Sequence, residues 1–270
     1  MVKKIVIAIL FAVFLFIFIY DLVNIGNWSI DNKKIDDQVK EIQDIVKVNE
    51  VPVAPQIENI NVETKLVNNE EKTGLYWEYT KIKLIDVDIK ELKKKNKDTV
   101  GWIQVGGTNI NYPFVQAKDN IYYLNHSFNK SKNNAGWIFL DYRNNMNKLD
   151  KNTIIYGHSR LNKTMFGTLN KVAKNDWFKN KGNHIIKISS EKENSLWQVF
   201  SVYRIKTTDD YLRTSFAGNK DYENFIKLIK DRSIYNFKVD MTTDDYILTL
   251  STCADNDKKT VVHAKLLKKG

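Results

Sequence analysis

The chain has a single cysteine in 270 residues, which excludes an intramolecular disulfide framework and a cysteine-rich structural zinc site. Three prolines and 11 glycines exclude collagen-like and Pro-rich architectures. Acidic charge is in deficit: 32 Asp and Glu face 42 Lys and Arg, a formal charge of +10. That excess suits anionic surroundings such as lipid headgroups or wall polymer. The basic residues are scattered and no recognition motif is present, so nucleic acid is not an expected partner. No metal-ligand spacing is visible, and neither a metal nor a cofactor is expected. Apolar side chains are plentiful. At 43% hydrophobic and 12% aromatic the chain can bury a core, which excludes wholesale disorder.

One long hydrophobic run stands out. Residues 5–20 (IVIAILFAVFLFIFIY) are uninterrupted and contain four Phe. As a helix they span roughly 24 Å at about 1.5 Å per residue. Extending the count to residues 2–23 reaches the ~30 Å of a bilayer core. No small-x-small cleavage site follows, so the run is expected to stay as a signal anchor. A core helix is disfavoured because every side would be apolar. Lys3 and Lys4 precede the run and predict a cytoplasmic tail (1–4), an anchor (5–23) and an extracellular remainder, single-pass in the cell membrane. The lone thiol then lies in a compartment where structural cysteines normally pair.

After the anchor, Ile35, Val39, Ile42 and Val46 recur at helical spacing, with Asp31 as the expected N-cap and an acidic and basic opposite face. Residues 49–72, with Pro52 and Pro55, lose periodicity and read as a spacer. Helix and spacer together occupy 24–74, and the body occupies 75–270. Within it, 86–96, 165–173 and 222–233 are helix candidates. Short β-rich runs at 100–105, 109–115, 136–140, 153–156, 184–189, 197–206, 246–252 and 260–267 are bounded by Gly, Asn, Asp or Lys. Many short strands with few helices argue a mainly β closed barrel or sandwich, not a doubly wound sheet.

Cys253 ends the strand-like run 246–252 and opens into the polar loop 254–257. A thiol so placed is rigid yet accessible; the competing reading is a small buried hydrophobe. At a pKa near 8.5 a thiol is only about 3% ionised at pH 7, and half-ionisation requires a shift worth roughly 2 kcal/mol. Asp255 and Asp257 oppose that shift, whereas Lys258 and Lys259 favour it. Of the four histidines, His158 also ends a strand-like run, after Gly157, and is the best partner by placement. His263 falls inside a strand, and His126 and His184 in turn-like sequence.

These residues carry a resemblance. Thr249-Leu-Ser-Thr-Cys253, Val261-Val-His-Ala-Lys265 and Tyr156-Gly-His158 are similar to sortase motifs, class B in particular. Upstream blocks follow in the same order: VGWI at 100–103, INYPFVQ at 110–116, DNIYYLN at 119–125 and GWIFLDYRN at 136–144. The likeness covers roughly 75–267. It implies a closed eight-stranded sortase barrel, an N-terminal helical extension and a helix between the sixth and seventh strands, here 222–233. It implies cysteine transpeptidation: Cys253 attacks the carbonyl of a Thr in the C-terminal sorting signal of a secreted protein, and a cell-wall (peptidoglycan) amine resolves the thioester. His158 would protonate the leaving amine and deprotonate the incoming one. Ser251 and Thr252 would contact substrate.

One departure accompanies the likeness. The family carries an Arg before the Val-Val of its last strand, and this chain has Lys259 there, after a short loop. Lysine offers a point charge where arginine offers a planar fork of donors. Lys259 could do the work, Arg213 or Arg204 could reach in, or the protein could be a catalytically impaired, sortase-like binding protein. An extracellular cysteine hydrolase of another fold would share Cys and His but use water as acceptor.

Overall fold

The computed structural model describes residues 2–51, 78–79, 81–253 and 258–270, with Cys253 described by its backbone. Most of the spacer, the expected start of the body near residue 75 and the loop 254–257 lie outside the described residues.

The N-terminal helix α1 (Val2–Ile45) runs unbroken for 44 residues. The sequence suggested a separate second helix capped by Asp31. Instead α1 continues through this position. Gly26 costs about 1 kcal/mol of helix propensity, too little to break a helix continued on both sides. The Asp31 carboxylate is engaged elsewhere, accepting from the Asn134 amide at 3.4 Å. The first half of α1 is exposed on every side, whereas Ile35, Ile42 and Val46 are buried against the body. The spacer also starts later than expected, because β1 (Asn49–Val51) pairs antiparallel with β2 (Leu84–Asp86).

Helix α2 (Ile89–Lys95) follows, capped by the Asp88 side chain on the Glu91 amide at 3.0 Å. Eight strands then close a barrel: β3 (Thr99–Val105), β4 (Asn111–Val115), β5 (Phe139–Leu140), β6 (Asn152–His158), β7 (Ile185–Ser190), β8 (Asn194–Lys206), β9 (Ile247–Cys253) and β10 (Lys258–Lys269). Their order is β10-β8-β7-β3-β4-β5-β6-β9. Two pairs, β4–β5 and β6–β9, are parallel; the others are antiparallel. Closure leaves the barrel no free edge. Between β6 and β7 lies a short helix, α3 (Asn175–Lys179), and α4 (Asn219–Asp231) connects β8 to β9, the sixth and seventh barrel strands. The expected helix at 165–173 is helical only as a 3-10 turn at Leu169–Ala173. Met165 has a positive φ of 52°, and the Gly167 and Leu169 amides reach back only three residues, so 164–169 is a succession of turns.

Strand β9 shows how the fold places its chemistry. Alternate residues face opposite sides of a strand. Leu248 and Leu250 join the main core with Ile155, Val262 and Ala264. Ile247 joins a second cluster with Tyr203, Tyr211, Tyr222, Phe225 and Val261 under α4. Helix α4 supplies that cluster through Tyr222, Phe225, Ile226 and Ile229, a helical stripe. Thr249 and Ser251 belong to the α4 side, and residue 253 falls in the same alternate series.

Candidate active site

Strands β6 and β9 run parallel, with His158 the register partner of Cys253 at their common end. Strand β10 lies on the other side of β9, with Val261 opposite Ser251 and Val262 opposite Leu250. Just beyond the last of these pairs, the Thr260 amide donates to the Thr252 hydroxyl at 2.8 Å. The backbone therefore brings His158 and Cys253 side by side, although about a hundred residues separate them, and Lys259 lies near the start of β10, the strand on the other side of β9.

His158 is held from outside the barrel. Its Nε2 lies 2.7 Å from the Leu124 carbonyl oxygen, in the loop between β4 and β5. A carbonyl can only accept, so Nε2 carries the proton and Nδ1 is the ring atom left to exchange one. Gly136 makes this approach possible. It has φ +60°, and a Cβ there would lie 2.6 Å from the Tyr123 oxygen, 2.7 Å from the Leu124 oxygen and 2.9 Å from His158 Cδ2.

The floor beneath is a buried polar ladder. The Thr249 hydroxyl donates to Asn152 Oδ1 at 2.6 Å, and Asn152 Nδ2 donates to the Arg213 carbonyl at 2.8 Å. With its hydrogen spent, Thr249 accepts from His263 Nδ1 at 2.8 Å, and His263 Nε2 then accepts from the Tyr203 hydroxyl at 2.8 Å. His263 is fully buried, and burial, with a smaller contribution from Arg232, pushes its pKa down to about 3. Ser251 and Tyr211 share a hydroxyl–hydroxyl bond of 2.9 Å. Ser251 thus sits on the α4 side, whereas the Thr252 hydroxyl is used by the Thr260 amide.

Next to this floor is a cleft of about 630 Å³ lined by Asn120, Tyr142, Arg143, Tyr156, Leu212 and Arg213, among others. Asp141 anchors its wall. It accepts two bonds from the Arg143 guanidinium, at 2.8 and 2.7 Å, one from the Arg143 amide at 3.0 Å and one from the Tyr156 hydroxyl at 2.8 Å. Burial alone would raise the Asp141 carboxyl, but the bonds from Arg143 and Tyr156 outweigh it and hold it below the usual range. Burial, reinforced by the Asp141 charge, pushes Tyr156 far up, so it remains a neutral phenol. Arg213 is paired with Asp221 and lies over the Phe216 ring. Arg204 pairs with Thr260, in the alternate series opposite to that of Lys259, and is exposed. Lys259 is half-buried.

Sequence reasoning singled out Cys253, His158, Lys259, Ser251 and Thr252. It did not single out Leu124, Gly136, Asp141, Arg143, Asn152 or Tyr211. The first four lie within blocks that carried the resemblance, but a carbonyl contact or a positive φ leaves no signature of its own in one sequence.

A cysteine and a histidine in register at the ends of two parallel strands, beside a polar cleft, is the layout of a thiol acyl-transfer centre. The Sortase domain family model matches residues 103–267. Sortase B of Staphylococcus aureus is 41% identical over 181 residues, 66% of this chain and 73% of that protein. Sortase B of Listeria monocytogenes is 38% identical over 187 residues, 67% of this chain and 75% of that one. Among solved structures, the Staphylococcus aureus sortase B–substrate complex superposes with a TM-score of 0.63 at 40% identity, covering 67% of this chain and 84% of that one. Clostridium perfringens sortase B gives 0.62 at 38% identity, covering 66% and 99%. The chain belongs to the sortase family, class B, and is a cysteine transpeptidase.

Proposed function

We propose that this transpeptidase is tethered by α1 in the cell membrane with its barrel on the extracellular face, and that it cleaves a C-terminal sorting signal after Thr. The cysteine at 253 attacks the Thr carbonyl carbon. The thiol proton passes to His158 Nδ1 as the thiolate attacks; the peptide C–N bond then breaks, a thioester forms, and the leaving amine takes that proton from Nδ1. A cell-wall amine then attacks the thioester, the C–S bond breaks, and His158 takes the proton that the incoming amine loses. The register of His158 with Cys253 carries this reading.

Lys259 is the cation of the site. Arg143 and Arg213 commit their guanidinium groups to Asp141 and Asp221. Arg204 falls in the opposite alternate series. The β9–β10 pairing supports a place for Lys259 near Cys253, where a positive charge favours thiolate and the developing oxyanion. The competing reading, a binding protein with impaired catalysis, rests on lysine standing where the family has arginine.

The test is product analysis. The full chain in detergent is incubated with peptides bearing candidate sorting signals, with and without an added oligoglycine amine, beside Cys253→Ala. Ligated product that requires both the amine and Cys253 supports the proposal. Hydrolysis alone, unchanged by amine, points to a hydrolase. No product with any signal, while a control sortase turns over, supports the binding protein.

A further inference from the structure

The half of α1 beyond the apolar run touches the two segments that fix His158. Asp31 meets the β4–β5 loop: its carbonyl accepts from Asn133 Nδ2 at 3.1 Å and its carboxylate from the Asn134 amide at 3.4 Å. About two turns further on, Gln38 Nε2 donates to the Ser127 hydroxyl at 3.2 Å. Asn32, which is buried, accepts through Oδ1 from Arg160, two residues after His158. Ile35, fully buried, lies between these contacts on the helix.

The contacts lead to the histidine by short paths. Asn133 Oδ1 accepts from the Ala135 amide at 2.8 Å, its carbonyl accepts from the Gly136 amide at 3.0 Å, and its amide donates to the Asn125 carbonyl at 2.9 Å. Residue 125 directly follows Leu124, whose carbonyl holds His158 Nε2. On the other side, the Phe166 amide donates to the His158 carbonyl at 3.0 Å, closing the turn that carries Arg160. Helix α1 therefore holds both the loop that grips the imidazole and the chain that leaves it.

We infer that residues 31–38 of α1 are positioning residues for His158, with Asn32 the principal one, so that the membrane helix is a working part of the catalytic centre as well as a tether. This rests on the proposed role of His158. The geometry also fixes a height. Asn32 lies nine residues beyond Val23, roughly 14 Å along a helix at about 1.5 Å per residue.

The test uses the full chain in detergent micelles, as wild type, Asn32→Ala, Asn32→Asp and Gln38→Ala. Aspartate keeps an acceptor for Arg160. Two quantities are read: the His158 Nε2–H resonance by NMR, assigned with His158→Gln, and kcat and KM on a short soluble sorting peptide. The inference predicts that Asn32→Ala broadens or loses the Nε2–H resonance and lowers kcat about tenfold with KM within twofold. Asn32→Asp should restore both, and Gln38→Ala should show a weaker form of the same change. An unchanged resonance and unchanged kcat in Asn32→Ala and Gln38→Ala overturn it. Should Asn32→Ala fail to fold, Gln38→Ala decides: full signal and rate in that variant overturn the inference. If wild type turns over no peptide, the proposed function fails, and the Nε2–H resonance alone still decides positioning.

Discussion

Lowering the pH from 7.5 to 5.0 should destabilise this fold through one buried imidazole. His263 is enclosed between Thr249 and Tyr203, and its neutral form satisfies both partners. Its pKa falls to about 3 in the folded chain, against about 6.5 when solvated. A native value below the unfolded one means that the unfolded chain binds the extra proton. Stability is then fully present above about pH 6.5 and is lost as the pH falls towards 3. At pH 5 the gap is about 1.5 units below the unfolded value, and at about 1.4 kcal/mol per unit the loss is about 2 kcal/mol. His184, lowered chiefly by burial, acts in the same direction. Chemical denaturation of the full chain in detergent at both pH values, beside His263→Gln, isolates the effect. Asp141, Asp210 and Asp221 are all held low by arginine partners and titrate alike in both proteins, so they cancel. Wild type should lose about 2 kcal/mol more than the variant. Equal losses would refute the assignment of His263 as a neutral strut under β9.

Substitutions at two positions probe the site above that strut. Gly136→Ala places a methyl against two carbonyl oxygens and the His158 ring at a left-handed backbone position. It should cost about 2–4 kcal/mol from backbone strain and overpacking, and lower kcat more than it raises KM, as read by denaturation and steady-state kinetics. Lys259→Arg should raise turnover and Lys259→Ala should remove most of it, on the order of 10²-fold, the usual scale of a lost oxyanion donor. Equal rates in wild type and both variants would remove Lys259 from the mechanism.

Much of this molecule was legible in its sequence because period-two runs bounded by turn residues define strands locally. The eight barrel strands fell close to their expected places, and α4 bridges the sixth and seventh as the resemblance implied. The errors share a cause. Asp31 has the chemistry of an N-cap, but a helix already under way passes through it, and the carboxylate serves Asn134. Residues 165–173 carry helical spacing, yet Phe166 packs into the barrel core from a chain of tight turns. At the candidate site, Cys253 and His158 were singled out by strand-end placement, and both residues do end paired strands. The parallel pairing that brings them together is a long-range choice that no local pattern encodes. Leu124 contributes only its carbonyl, which is independent of side-chain identity.

The central claim is that the cysteine at 253, in register with His158, forms the acyl bond to substrate. Intact-mass spectrometry of the full chain, quenched in acid after brief mixing with a sorting-signal peptide and no amine, measures this directly. A mass increase equal to the acyl fragment, mapped to Cys253, abolished by hydroxylamine and absent from Cys253→Ala, is the predicted result. Turnover of the same peptide by Cys253→Ala at the wild-type rate would contradict the account.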